Sequence, residues 1–167
     1  MTIDSERMQA LKQRVAARIS GLTPNERLTA LRKVPPLMDL TDLSSSATPE
    51  KIRALCANAK EQGTAGVCVH PWHVRTARTA LDNGNGAGSR IRVASVAGNF
   101  PFSQTDTDIK AMEVRRVVEM GAGEVDVVLN QGAFLSGDLG FVRAETRALR
   151  EAANGAMLKV ILETCSW

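Results

Sequence analysis

The stretch GEVDVVLN, residues 123–130, has the composition of a buried β-strand, yet it carries two carboxylates. Valine is enriched in strands, and the segment lies between a Gly-Ala-Gly and an Asn-Gln-Gly sequence, which are typical of turns. Because side chains alternate across a strand, Glu124 and Asp126 share one face and the intervening valines share the other. The apolar face suits packing against helices. The mixed face predicts a strand that lines an interior polar enough to hold an acid.

Short apolar strands alternate with helical segments on both sides of this stretch. The predicted strands begin near residues 37, 66, 91, 124 and 157. Helix-length segments between short strands favour parallel crossover units. Two α/β architectures fit the pattern: a doubly wound open sheet, or a TIM (β/α)8 barrel of which about five strands are present. The strand spacing matches the roughly 31 residues per unit of a full barrel.

The chain is predicted to contain two segments. Residues 1–36 form an N-terminal helical extension, and residues 37–167 form a partial (βα) barrel with strands one to five. Within the extension, residues 4–20 place apolar side chains at helical spacing, and residues 24–33 follow Thr23 as a capping residue. A Pro-Pro pair ends the second helix, because proline lacks a backbone donor.

Helices within the second segment are predicted from caps and apolar stripes. Thr48 and Gly63 bound the first of them, as N-cap and C-terminal stop. The glycine-rich stretch at residues 83–88 is predicted to be a surface loop. The third helix of this segment is expected to turn four apolar side chains inward, which are Ile109, Met112, Val117 and Met120.

Composition and charge point to an ordinary globular protein, with 44% hydrophobic and 23% charged residues and a net charge of +3. Residues 1–36 carry most of the basic excess, but these basic residues are dispersed and no aromatic side chain accompanies them. A solvated helical face is therefore favoured over a nucleic-acid interface. No N-terminal apolar run resembles a signal peptide, and no window approaches the roughly 20 apolar residues of a membrane span. Three cysteines without a CxxC pair favour reduced thiols, so we expect a cytoplasmic protein without a membrane partner.

Charged or polar side chains lie on the same predicted face in three strands. Strand one places Asp39 with Thr41, strand four contributes Asp126, and strand five contributes Lys159. In parallel barrels the C-terminal ends of the strands hold the active site. An acid and an amine that face one cavity shift each other's pKa and can relay protons, so Asp126 and Lys159 are candidate catalytic residues. For Asp39, a hydrogen-bonded structural acid is the stronger interpretation.

Other candidate sites are weaker. His70 and His73 have metal-like spacing only if both lie on one helix face, but the first ends a strand and the second starts a helix. No metal site is therefore predicted. Cys68 lies in the middle of a strand, where an inert buried thiol is favoured over a cavity-lining one.

Five motifs, in chain order, make the family recognisable: LMDLTDL, VCVHP, VASVAGNFP, GAGEVDVVLN and LKVILET. Together they resemble the deoxyribose-phosphate aldolases, and the resemblance covers residues 37 to about 165. Members of that family are class I aldolases with a (βα)8 barrel. They act in deoxyribonucleotide catabolism as carbon–carbon lyases and cleave 2-deoxy-D-ribose 5-phosphate reversibly to acetaldehyde and D-glyceraldehyde 3-phosphate. They use a lysine Schiff base and no metal or other cofactor.

The resemblance implies a role for each matching residue. Asp126 corresponds to the acid that relays protons, and Lys159 to a second cavity lysine that tunes charge and orders Asp126. The positions expected to line the pocket for the phosphorylated sugar are Asp39, Thr41, Cys68 and Phe100.

The family's Schiff-base lysine lies on strand six in a Lys-Thr-Ser context, beyond the part of the barrel that resembles this chain. The sequence is therefore expected to represent the N-terminal portion of an aldolase and to be inactive alone. Five strands cannot close a barrel, so open sheet edges could drive homo-oligomerisation. Two alternatives stay open: a non-catalytic barrel fragment that acts as an association module, and a metal-dependent class II aldolase that uses His70 and His73.

Overall fold

The computed structural model describes residues 5–82 and 90–166, and it divides the chain into two compact units, Met1–Pro35 and Pro36–Trp167. The first unit contains helices α1 (Ser5–Ser20) and α2 (Pro24–Leu31). A capping box opens α2, because Thr23 Oγ1 accepts the Glu26 amide while the Glu26 carboxylate accepts the Thr23 amide. The predicted loop at residues 83–88 lies outside the described residues.

The second unit alternates five strands with helices. Its strands are β1 (Asp39–Asp42), β2 (Gly66–Val69), β3 (Arg92–Val96), β4 (Glu124–Val128) and β5 (Met157–Ile161). Its α-helices are α3 (Pro49–Gln62), α4 (Val74–Leu81), α5 (Thr107–Glu119), α6 (Gln131–Leu135) and α7 (Leu139–Ala152). Thr48 caps α3 as predicted, and Gly63 ends it in the left-handed region. Strand one was predicted to begin near residue 37, but Pro35–Leu37 forms a short 3-10 turn and β1 begins two residues later.

The strand order distinguishes between the two predicted architectures. All neighbouring strands are parallel, and they follow one another in the order β1-β2-β3-β4-β5. A doubly wound sheet reverses its strand order at a switch point, which places helices on both faces. A sequential order with right-handed crossovers places the helices on one face only. The sheet is therefore of the TIM-barrel type, as one of the two alternatives predicted.

The main core lies between the sheet and the helices. The valines of β4 that alternate with its acids, Val125 and Val127, are almost completely buried there. They pack with other apolar side chains from the strands and from α3, α4, α5 and α7, which include Val67, Val93, Ile52, Leu81, Val114 and Leu149. The apolar face of strand four was thus predicted correctly. A second, smaller cluster lies on the opposite face of the sheet and consists of Cys68, Ala94 and Val96.

The buried face of α5 differs from the prediction. Ile109 and Met112, which were expected to point inward, are 49% and 57% exposed. The buried face instead contains Lys110, Ala111 and Val114, together with Val117 as predicted. Residues at helical spacing define both the predicted and the observed buried face of α5. The observed face begins with a lysine, so choosing the face by its apolar residues alone gives an incorrect assignment.

Lys110 is completely buried and forms an ion pair with Glu145 of α7 at 2.7 Å. Its Nζ also donates to the backbone carbonyl and the hydroxyl of Ser103, at 2.5 and 3.0 Å. The Ser103 hydroxyl in turn donates to the Val128 carbonyl at the end of β4, at 2.6 Å. This network, Glu145–Lys110–Ser103–Val128, connects α7, α5, the loop before α5 and the C-terminal end of β4.

None of the helices in the described ranges combines the length and the apolar character that crossing a membrane requires.

We expect Lys110→Met to lower the free energy of unfolding by about 3–5 kcal/mol, because it leaves Glu145 buried without its counter-charge. Urea denaturation measures this change. On the same helix, the pair Arg116–Glu119 is more than 60% exposed at both side chains, so Arg116→Met should cost about 0–1 kcal/mol. Adding Glu145→Leu to Lys110→Met should restore much of the loss. Equal effects of the two single substitutions would contradict a stabilising role for the buried pair.

Candidate active site

The inner face of the sheet brings the predicted acid and amine together. Asp126 of β4 and Lys159 of β5 are register partners on neighbouring parallel strands. Side chains of register partners point to the same face. Asp126 Oδ2 lies 3.2 Å from Lys159 Nζ, and the acid is 8% exposed. The two candidate catalytic residues therefore form an ion pair on the face opposite the helices.

Lys159 Nζ contacts two further carboxylates. Glu124 Oε1 is the nearest at 2.6 Å, and Asp39 Oδ2 accepts a hydrogen bond from Nζ at 3.2 Å. The lysine side chain itself is 43% exposed. We name these four residues, Lys159 with Asp39, Glu124 and Asp126, the lysine–carboxylate cluster.

The contact between Lys159 and Asp39 reveals the curvature of the sheet. These residues belong to β5 and β1, the two outermost strands. In a flat sheet, four inter-strand gaps of about 4.8 Å would separate β1 from β5 by roughly 19 Å. A 3.2 Å contact between the two side chains requires the sheet to curl around its inner face. The cluster therefore spans the interior of a partly closed barrel.

Glu124 is a member of the cluster that the sequence did not identify as a site residue. It is 2% exposed, and its second oxygen, Oε2, lies 3.3 Å from Arg92 Nε. Alternation in strand four placed Glu124 on the same face as Asp126, which was the available signal. No feature of the sequence indicated that an arginine of β3 and a lysine of β5 would each contact Glu124.

Burial raises the pKa of Asp126 above its usual range, although the positive charge of Lys159 acts in the opposite direction. Burial lowers the pKa of Lys159, but the hydrogen bond to Glu124 and the charge of Asp126 outweigh it, so the net shift is upward. The lysine therefore stays an ammonium ion at neutral pH. One oxygen of Asp126, Oδ1, is buried and has no hydrogen-bond partner within residues 5–82 and 90–166.

The predicted pocket residues also lie on the inner face. Cys68 is buried beside the cluster, with its Sγ 3.9 Å from Asp126 Oδ2. Burial and then the negative charge of Asp126 raise the pKa of this thiol to about 12, so it remains protonated. Thr41 is the register partner of Cys68 and is exposed. Phe100 is partly buried and packs against the cluster of Cys68, Ala94 and Val96.

The two histidines face different surroundings. His70 Nε2 lies 3.0 Å from the Leu43 carbonyl, whereas His73 is buried at the start of α4. Among the described residues, no group of three or more His, Cys, Asp or Glu side chains is arranged to hold a metal ion.

Gly66 makes room for the carboxylate of Asp39, its register partner on β1. A Cβ atom at this position would lie 2.5 Å from Asp39 Oδ1 and 3.1 Å from the Arg92 carbonyl. Glycine within a strand often marks such a close approach. The absence of a side chain here allows Asp39 to lean over the sheet toward Lys159.

The fold and the cluster define a class of protein: a partial βα barrel with a lysine and three carboxylates on its inner face. Residues 34–166 match the family model of the DeoC/LacD family aldolases. The chain belongs to the DeoC/LacD aldolase family. This result confirms the family that the five sequence motifs indicated.

Individual relatives agree with this assignment. The chain is 43% identical over 136 residues to a deoxyribose-phosphate aldolase of Aciduliprofundum boonei, covering 80% of the chain and 59% of that relative. A Coccidioides immitis crystal structure, provisionally assigned as a deoxyribose-phosphate aldolase, superposes with a TM-score of 0.75 at 38% identity, covering 81% of the chain and 51% of that structure. A tetrameric deoxyribose-phosphate aldolase from Aeropyrum pernix has a TM-score of 0.61 at 26% identity, covering 81% and 55%. The chain thus spans between half and three fifths of the length of these relatives.

We expect Gly66→Ala to lower the free energy of unfolding by about 1–3 kcal/mol, because the new methyl group collides with Asp39 and with backbone. Gly123→Ala is the matched control, since a Cβ there meets no atom within 4 Å. Urea denaturation of both variants measures the difference. If both variants lose the same stability, the close approach of Asp39 to Gly66 is not what requires the glycine.

Proposed function

We propose that the chain acts in the reversible cleavage of 2-deoxy-D-ribose 5-phosphate to acetaldehyde and D-glyceraldehyde 3-phosphate, as the proton-handling part of a class I aldolase site. The observation that carries this proposal is the lysine–carboxylate cluster, in which Asp126 has one buried oxygen without a partner among the described residues and its other oxygen beside the Lys159 ammonium group. The names of the relatives supply the substrate.

The geometry suits proton transfer to and from a carbonyl compound. In a class I aldolase, an iminium formed on a lysine accepts the electron pair of the carbon–carbon bond as it breaks. A nearby acid must give and take protons while this iminium forms and is hydrolysed. Lys159 contacts Asp126 Oδ2, and Oδ1 has no hydrogen-bond partner among the described residues, so Oδ1 would be the oxygen that gives and takes the proton. Its raised pKa moves the acid toward neutral pH, where it can both donate and accept.

Lys159 is a poor candidate for the Schiff-base lysine. An amine must lose its proton before it can attack a carbonyl carbon, and three carboxylates around Lys159 Nζ oppose that loss. We therefore assign the Schiff base to a lysine outside the five described strands, as the family resemblance implies. It follows that the chain alone should not cleave the substrate.

The remaining predicted residues would shape the pocket. Asp39 and Thr41 offer a carboxylate and a hydroxyl for the hydroxyl groups of a sugar, and Phe100 offers an apolar wall beside Cys68. We propose no metal or organic cofactor for this site. We also propose a cytoplasmic location, where the three cysteines would stay reduced as they are in the structure.

A second function, self-association, is favoured by the edges of the sheet. Among the described strands, β1 pairs only with β2, and β5 pairs only with β4. Unpaired edges offer backbone donors and acceptors to another chain. A second copy of this chain could satisfy them.

The proposed activity can be tested by fusing residues 1–161 to the segment of the Aciduliprofundum boonei relative that follows the matching strand. We expect this fusion to cleave 2-deoxy-D-ribose 5-phosphate and the chain alone to be inactive. Asp126→Asn in the fusion should lower kcat by roughly 10²–10⁴-fold, because the relay acid is lost. Asp138→Asn, which keeps the N-cap of α7 and removes an exposed charge that is not part of the cluster, should leave kcat unchanged. A folded fusion without activity would refute the proposed reaction.

Self-association predicts a mass that rises with protein concentration in sedimentation equilibrium. We expect the weight-average mass of the chain to exceed 17.9 kDa at high concentration, because strand edges pair between copies. A constant monomer mass across the accessible concentrations would remove this second function.

A further inference from the structure

We infer that Glu124 is a positioning residue that holds Lys159 against Asp126 as an ammonium ion, and that Arg92 shares the Glu124 carboxylate with the lysine. The inference deepens the proposed function, on which its relevance to catalysis rests. It adds Glu124 to the site and connects three strands: Arg92 of β3 contacts Glu124 of β4, and Glu124 holds Lys159 of β5.

Distance and burial single out Glu124 among the three carboxylates. Its Oε1 lies 2.6 Å from Lys159 Nζ, whereas Asp126 and Asp39 each lie 3.2 Å away. The Glu124 side chain is 3% exposed, compared with 11% for Asp126 and 22% for Asp39. A carboxylate so deeply buried cannot turn to water, so it must keep its protein partners.

Packing does not explain where Lys159 lies. Its side chain is 43% exposed, and water could solvate the ammonium group if the lysine swung outward. Attraction to the carboxylates must therefore keep it on the inner face. The shortest contact comes from Glu124, which is one layer below Asp126 on the same face of β4 and so pulls the lysine down across Asp126.

Arg92 contacts the second oxygen of Glu124 and competes with Lys159 for its charge. Arg92 Nε lies 3.3 Å from Glu124 Oε2, so the two oxygens of the carboxylate are divided between two cations. The arginine is half exposed and can be solvated if Glu124 is lost. Removing Arg92 would leave Glu124 with Lys159 as its only cation in the cluster.

The titratable groups around Lys159 come from four strands. Asp39 lies on β1, the protonated thiol of Cys68 on β2, Arg92 on β3, and the two acids Glu124 and Asp126 on β4. Three negative groups therefore face two positive ones. Neutralising any one carboxylate leaves the numbers equal, but Glu124 is the nearest and the most buried of the three, so neutralising it should release the Lys159 proton more readily than neutralising Asp39.

The test measures how readily the Lys159 amine reacts in the full chain. Acetaldehyde and borohydride are added at about pH 9, where lysines are mainly protonated and reactivity follows the small neutral fraction. The amine nitrogen bonds to the carbonyl carbon, water leaves, and hydride from borohydride reduces the imine to an N-ethyl amine. Mass spectrometry of peptides gives the rate at Lys159, with the exposed Lys60 as an internal reference.

We expect Glu124→Gln to raise the labelling rate of Lys159 relative to Lys60 by about tenfold or more, which corresponds to a pKa lowered by at least about one unit. Asp39→Asn should raise it less. Arg92→Met should leave it unchanged or lower it, because it strengthens the hold of Glu124 on the lysine. Glu124→Asp keeps the charge, but its shorter side chain moves the carboxylate oxygens away from Lys159, so the labelling rate of Lys159 should be intermediate.

Two results would overturn the inference. One is a rate in Glu124→Gln that equals that of the unsubstituted chain, and the other is a rise in Arg92→Met as large as in Glu124→Gln, since general loosening would move both. If Glu124→Gln fails to fold, the other two variants still test the inference. Glu124→Asp should raise the labelling rate of Lys159, and Arg92→Met should leave it unchanged or lower it. Labelling needs no cleavage of a sugar phosphate. An inactive fusion together with this pattern would therefore refute the proposed reaction and leave the role of Glu124 intact.

Discussion

The contact of one ammonium group with three carboxylates is the interaction on which the rest of the second unit depends. Lys159 reaches from the last described strand to Asp39 on the first and to two acids on β4. Carboxylates this buried are tolerable only with a nearby cation. The cluster therefore couples strands at opposite edges of the sheet and requires the curvature that brings them within ion-pair distance.

The cluster can form because the two faces of the sheet differ in the residues they carry. Sequential parallel crossovers place the helices on one face, where valines fill a dry core. The other face carries small residues, including Gly66, Cys68 and Ala94, and these leave space for charged side chains. Small residues on the inner face allow the acids of β1 and β4 to converge instead of being forced into water.

The sequence predicted the faces of the strands well, because alternation is a local rule that holds wherever a strand forms. Asp126 and its neighbouring valines lie on the faces that alternation predicted. The caps of α3, which also depend on local sequence, were predicted correctly as well. Partners are not local, and they were predicted less well. Glu145, the partner of Lys110, lies 35 residues away on another helix, so the buried face of α5 was predicted from apolar residues alone, and Ile109 and Met112 were wrongly placed in it. Glu124 is a second example, because the strand face on which it lies was predicted and its contacts with Arg92 and Lys159 were not.

Strand β4 is restrained by polar contacts at two places. On the inner face, Glu124 and Asp126 contact Lys159, and at the C-terminal end of the strand the Val128 carbonyl accepts a hydrogen bond from Ser103, which the buried Lys110 contacts. A carboxylate that shuttles protons must keep its distance from the reacting atoms to within a fraction of an ångström, and loop-borne side chains seldom do so. Contacts along the strand and at its C-terminal end restrain its position. The buried ion pair of α5 and α7 and the lysine–carboxylate cluster are thus both connected to the strand that carries Asp126, the acid proposed to transfer protons.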